Sequence, residues 1–216
     1  MSRSALVLGT LLATGGLAAG AIAASADDPD PRHGHGGGSG HGARHAAATL
    51  RGPDGALVGR VKVRTRGARS EVAVRIYRLP GDVNPSDFHG LHVHGNDDPA
   101  NGEGCVADPA QPAETWFTAV DGHWAGDGGT HGDHAGDMPS PYLQADGSAY
   151  LAFQTDAFGA DDLRGRAVIL HAERNNFGNI PLGDGPEEYT ANSPAAVELT
   201  EDTGNSGDRI ACGVVR

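Results

Sequence analysis

An all-β domain, an antiparallel sandwich or barrel with two long functional loops, is predicted by three features of the sequence. Short stretches alternate or run in Val, Ile and Leu, each bounded by Gly, Pro, Asp or Asn. No stretch carries a convincing helical stripe. Two connections, roughly 96 to 141 and 174 to 208, are rich in Gly and Asp, and structureless loops of that length in a compact domain are functional or disordered.

The strands follow in order. ALVGRVKVRT (56–65) and SEVAVRIYRL (70–79) place apolar side chains at alternate positions. In HGLHVHG (89–95) the pleat sends His92 and His94 to one face and Leu91 and Val93 to the other. The two imidazoles then lie about 6.8 Å apart at the backbone, close enough to converge on one metal ion. SAYLAFQTD (148–156), RAVILHAE (166–173) and RIACGVV (209–215) complete the set, and Asp54-Gly55 and Asp146-Gly147 suit tight turns between strands.

The start of the chain has a different composition. Residues 1–26 combine Arg3, a long apolar run and the small residues Ala24 and Ala26, the pattern of a cleavable secretory signal. Left uncut, that run is long enough to cross a bilayer, so a membrane partner enters only in that case. Residues 27–46 are Gly-rich without apolar periodicity and are expected to form a disordered tether. Its histidines, His33, His35, His41 and His45, either collect metal ions loosely or are simply solvated. The folded domain is set at 47–216, ample for one core. The expected location is secreted, extracellular or in the cell envelope. Cys105 and Cys212 are the only cysteines, and an exported protein with two most simply forms one disulfide. With a net charge of −12 no nucleic-acid partner is expected.

The domain's histidines, His89, His92, His94, His123, His131, His134 and His171, all fall at strand edges or in the first long loop. His131, His134 and Asp137 are spaced by three, but Gly132, Gly136 and Pro139 favour a loop over a helix. Three imidazoles and a carboxylate in a tetrahedral site suit zinc, and several imidazoles in a tetragonal site suit copper(II).

Four segments, FHGLHVHG, GHW with THGDHAGDMP, GRAVILHAERNNFG and TGNSGDRIACGVV, resemble the secreted copper-zinc superoxide dismutases in the family's order, from about residue 88 to the C-terminus. The resemblance implies a Greek-key β-barrel that dismutes the superoxide anion to oxygen and hydrogen peroxide through a redox-cycling copper ion. It implies copper held by His92, His94, His123 and His171. Zinc would be held by His123, His131, His134 and Asp137, with the His123 imidazolate bridging the two metals and later returning a proton to the peroxide. It pairs Cys105 with Cys212, makes Arg209 the residue that draws superoxide in, has Thr203 narrow the opposite side of the channel, and gives His89 a structural role. The family contains monomers and dimers, which leaves a homodimer open.

One position departs from the pattern. Four residues after His171 the family usually has an aspartate bridging a copper-ligand and a zinc-ligand histidine, and here that position is Asn175. An amide offers one accepting oxygen and a donating nitrogen, so weaker zinc binding is expected. Two other readings follow: a copper-only dismutase with a poorly filled zinc site, and a secreted copper-buffering module with little turnover. Arg209 and Thr203 speak against buffering, which needs neither.

Overall fold

Alternation of buried and exposed positions in the strands shows how the sheet is built. The computed structural model describes residues 42–80, 83–181 and 194–216. The signal segment, most of the tether with His33, His35 and His41, and the acidic Asp184, Glu187 and Glu188 lie outside the described residues.

In chain order the strands are β1 (Arg44–Arg51), β2 (Leu57–Arg66), β3 (Arg69–Ile76), the short β4 (Asp87–Phe88), β5 (Leu91–His94), the short β6 (Tyr142–Leu143), β7 (Ala149–Thr155), β8 (Ala167–His171) and β9 (Arg209–Val214). Seven form one antiparallel sheet in the order β5-β8-β9-β1-β2-β3-β7, and β4 pairs with β6. The order leaves chain sequence at β5–β8, β9–β1 and β3–β7, the crossovers of a curled Greek-key half-barrel. Gly213 allows β9 to lie against β1, since a Cβ there would stand 2.6 Å from the Thr49 carbonyl oxygen.

All six predicted strands form, within a few residues of their expected ends. Both predicted turns form too, with Gly55 and Gly147 each at φ 76°. Asp54 and Asp146 close them by accepting the backbone N–H two residues on, at 2.9 Å in each case.

Two features differ from expectation. Strand β1 begins at Arg44, inside the stretch read as tether, so the folded part starts before residue 47. Its Ala-rich sequence has little β-propensity of its own. Pairing with β2 along its whole length, and burial of Ala46, Ala48 and Leu50, hold it extended. The second long connection contains a helix, α1 (Pro194–Thr203). Its signals are terminal: Pro194 at the first helical position, and Gly204 just past the end at φ 58° with its N–H on the Thr200 carbonyl (3.0 Å).

The main core fills the curl of the sheet with Leu50, Val61, Val74, Leu91, Val93, Leu170 and Ile210. A smaller cluster, Phe117, Val120, Ala167, Ile169 and Cys212, lies under the first long loop. Strand β8 is therefore buried on both faces, with Val168 and Leu170 in one cluster and Ala167 and Ile169 in the other. Cys105 and Cys212 form a disulfide with Cα atoms 5.5 Å apart, tying the loop to β9 across 107 positions.

Closing a loop of that size removes about 4.7 kcal/mol of chain entropy from the unfolded state in the upper limit. Cys212→Ser should lower Tm by up to roughly 10–20 °C, at about 2–4 °C per kcal/mol for a domain of this size. Thermal unfolding of the variant, and of the wild type with and without reductant, checks this.

Candidate metal centre

Strand β5 places the first two imidazoles. Its pleat sends Leu91 and Val93 into the core and His92 and His94 to the opposite side, yet all four residues are buried. The cover is the first long loop, which folds back along β5: Val93 donates to the Gly136 carbonyl (2.8 Å) and accepts from the Trp124 N–H (2.8 Å). These contacts set His123 opposite His94 and Asp137 opposite His92 as isolated bridges. On the other side β5 pairs with β8, whose last residue is His171.

The ligand atoms of His92, His94, His123 and His171 all lie within 4.8 Å of one another, and so do those of His92, His123, His131 and Asp137. His134 stands at the edge of the second group, its Nδ1 3.7 Å from Asp137 Oδ2. Every ligand expected from the sequence is thus brought to one place.

Backbone carbonyls fix which nitrogen each ring presents, because a carbonyl only accepts. His94 Nδ1 donates to the Asp121 carbonyl (2.9 Å) and His171 Nδ1 to the Gly207 carbonyl (3.0 Å). Each then turns an Nε2 lone pair inward, and the two Nε2 atoms are 3.4 Å apart. His92 donates through Nε2 to Asn175 Oδ1 (2.9 Å), which leaves its buried Nδ1 without a partner. Both nitrogens of His123, His134 Nδ1 and Asp137 Oδ1 are also buried without an aligned hydrogen bond. His123 Nδ1 and Asp137 Oδ1 approach to 3.2 Å without pointing at each other, as two donors aimed at a shared third body do. Buried polar atoms seldom go unmatched, and this set fits two cations: imidazoles alone on one side, imidazoles with a carboxylate on the other.

Burial keeps the rings neutral, the form that ligates. It holds His92 and His94 well below the ordinary histidine range and lowers His171 to about 3. Burial lowers His123 as well, against the opposing pull of Asp137. For Asp137 burial pushes upward, but the neighbouring His123 imidazole and a hydrogen bond from the Gly132 N–H outweigh it and the net shift is downward.

Asn175 does more than its amide was expected to do. Its single Oδ1 accepts from both His92 Nε2 (2.9 Å) and His131 Nε2 (3.1 Å), so the bridge between the two groups is intact. The cost appears at the other end, where the Asn175 Nδ2 donor is buried without a partner. Behind it, Asn179 donates to the His131 carbonyl (2.6 Å), and Asn176 Nδ2 donates to Asn205 Oδ1 (2.9 Å). Gly204 lets α1 end against the His131 ring, since a Cβ there would sit 2.3 Å from Nε2.

Residues 57–215 match the family profile of copper/zinc superoxide dismutase (SODC). The chain belongs to this family.

The copper/zinc superoxide dismutases of Mycobacterium tuberculosis and Mycobacterium bovis are each 37% identical to it over 181 residues, 81% of this chain and 71% of theirs. An extracellular Cu-Zn superoxide dismutase of Brugia pahangi is 30% identical over 137 residues, 59% of this chain and 56% of that one. A solved SOD-like protein of Bacillus subtilis, 20% identical, gives a TM-score of 0.48 over 77% of this chain and 94% of that one, a likeness too loose to argue from.

The remaining residues expected in a dismutase site are also placed. Arg209, half-buried, donates from one terminal nitrogen to the Phe117 carbonyl and from the other to the Asp121 carbonyl, both at 2.7 Å, rather than pairing with Asp208. His89 is fully buried between the His171 carbonyl (3.0 Å) and the Asn84 carbonyl (3.1 Å), a structural brace. Thr203 ends α1, its hydroxyl accepting from the Asn205 N–H (3.2 Å) and its carbonyl from Ser206 Oγ (3.1 Å).

Asp121 was missed by sequence reasoning. One carbonyl of this residue serves both Arg209 and His94, while its carboxylate accepts from the Asp97 and Asp98 N–H groups (2.8 and 2.9 Å) and from Asn101 (3.0 Å).

Two expectations follow. Because His171 titrates near 3 when folded and near 6.5 when unfolded, the unfolded chain binds more protons between those values, and protons favour unfolding. The Tm of the metal-free protein should therefore fall steadily from about pH 7 to about pH 4, as a pH series by calorimetry would show. Asn175→Asp should strengthen zinc retention by roughly tenfold, since it removes the orphan donor and adds a charge facing two imidazole N–H groups. Chelator competition measures it, and an unchanged zinc affinity would mean the amide bridge is already sufficient.

Proposed function

We propose that this protein dismutes superoxide to oxygen and hydrogen peroxide outside the cytoplasm, with copper held by His92, His94, His123 and His171 and zinc by His123, His131, His134 and Asp137. The observation that carries the assignment is His123, whose two ring nitrogens are both buried and unpaired and which shares space with both groups. Held by these residues, copper would supply one-electron redox cycling and zinc a fixed positive charge.

The chain's own residues do the rest. His94 and His171 are locked by carbonyls, so their Nε2 lone pairs need no reorientation in either redox state. His123 Nε2, buried without a protein partner, could hold a proton and return it to the departing peroxide. Arg209 has two terminal N–H groups tied to carbonyls, which fixes the guanidinium plane and leaves its other donors for the anion. A copper-buffering protein has no use for a guanidinium held this way, and the dismutase reading is preferred for that reason. Export is supported by the disulfide, by the leader pattern of residues 1–26 and by the relative named as extracellular.

Superoxide decay after pulse generation, measured on protein of known copper and zinc content, tests the proposal. His171→Ala should abolish turnover while the disulfide and main core hold the fold. Full activity in that variant would sink the copper assignment. The net charge of −12 repels an anion, and the described part of the second loop adds Glu198, Glu201, Asp202 and Asp208. Turnover should therefore be flat or rise slightly with ionic strength, Arg209→Ala should slow it severalfold or more, and Arg209→Lys should retain part of it.

A further inference from the structure

The excess of acidic residues hides a segregation of charge. Strands β1, β2, β3 and β7 together carry eight Arg and Lys residues and one carboxylate, Glu71, in a chain of net charge −12. Strand pleating sends most of these cations outward: Arg60, Lys62, Arg66, Arg69 and Arg75 are exposed and Arg64 half-buried. Register then stacks like on like. Arg60 lies directly opposite Arg75, and Arg66 opposite Arg69. Such pairs destabilise a sheet, and the one ion pair across β2 and β3, Arg64 with Glu71 at 3.7 Å, is solvent-exposed and weak. An anion seated between opposed guanidiniums would relieve the repulsion.

The face has a shape as well as a charge. Ala47, Ala73 and Ala152 fall in one cross-strand row with Lys62 and floor a trough of about 740 Å³. One side is the row of Arg64, Glu71 and Gln154, and Tyr150 closes the other, standing in the next cross-strand row with Arg60 and Arg75. Tyr150 is 66% exposed, with the Arg75 guanidinium 5.8 Å from its ring centroid. An exposed aromatic face beside a cation suits a sugar ring that carries an acid group. Along β2, Arg60, Lys62 and Arg64 repeat at about 6.8 Å, two strand steps, which suits a chain with recurring anionic groups.

We propose that this outer face docks an acidic polysaccharide, whose carboxylates lie along the arginine rows with a sugar stacked on Tyr150. A bilayer would need inserting apolar side chains, and of the large ones lining the trough only Tyr150 is exposed; a nucleic-acid duplex hides the base faces that Tyr150 could stack on. The histidines lie on β5, β8 and the loops, at the other end of the sheet order, so docking here leaves them accessible. The inference does not depend on the copper chemistry.

The test titrates the full exported protein with labelled polygalacturonate, neutral dextran, phosphatidylglycerol vesicles and duplex DNA at low and raised salt. Polygalacturonate should bind, more weakly as salt rises, and dextran should not. Arg75→Glu places an opposite charge across from Arg60, so it should raise Tm while lowering polygalacturonate affinity about tenfold or more, with superoxide turnover unchanged. Arg75→Gln removes the repulsion without adding an attraction, so it should lose affinity severalfold with a smaller gain in Tm. Unchanged binding in Arg75→Glu, equal binding of dextran, tighter binding to vesicles or DNA, or self-association through this face would each overturn the proposal.

Discussion

Strand β5, Leu91–His94, has no residue that faces solvent, and its histidines depend on that. An alternating strand in a half-barrel normally shows its polar face to water, where His92 and His94 would be two titrating surface groups. Here the long loop covers that face by bonding to β5 at Val93 from both Trp124 and Gly136, and in doing so delivers His123 and Asp137. Burial and ligand assembly are one event. Once the imidazoles are covered they are costly to charge and have few protein partners, so the covered state is completed by metal.

Asp121 shows how tightly this assembly is tied. At φ 63° and ψ −162° it occupies backbone space that favours glycine, a strain of about 1–3 kcal/mol. That geometry aims its carbonyl at both His94 and Arg209, while its carboxylate grips the turn around residues 97–101. The ring that would bind copper and the guanidinium that would receive superoxide are thus referenced to one oxygen atom. The disulfide anchors the same loop at Cys105, and Arg209 and Cys212 sit on the same strand. A shift in the loop therefore moves ligand and guanidinium together, which preserves the distance between them.

How much of this was legible in the sequence depended on whether a side chain or the backbone does the work. Each imidazole and carboxylate of the site was readable, because ligation needs those side chains, and the pleat explains why His92 and His94 share a face. The strands with branched apolar residues were readable for the same reason. Strand β1 was not, since its alanines express no preference and only pairing with β2 extends them. Helix α1 has little apolar stripe, and only Pro194 and Gly204 mark its ends. The roles of Asp121 and of the carbonyls of Gly207 and Phe117 were invisible, because any residue has a carbonyl and only the fold aims it. Asn175 was readable as a substitution, but not the way its amide is used, with the oxygen serving both rings and Nδ2 left without a partner. Its one oxygen has two lone pairs, and the placement of His92 and His131 lets both be used.

Net charge is similarly a sum that conceals an arrangement. Screening limits the reach of a surface charge to about 10 Å at 0.1 M salt, so a distant cation contributes little at the metal centre. The arginines of β2 and β3 lie on strands removed in the sheet order from β5 and β8, which carry His92 and His171. What superoxide meets near the site is the acidic second loop and then Arg209, half-buried and held by two carbonyls. A half-buried charge is screened less by salt than one in open water, so a single arginine in that position outweighs a larger number on the outer sheet. In the proposed reading the two cationic features act on different anions at different places: Arg209 on a small one that must reach the copper, and the outer face on a polymer that never does.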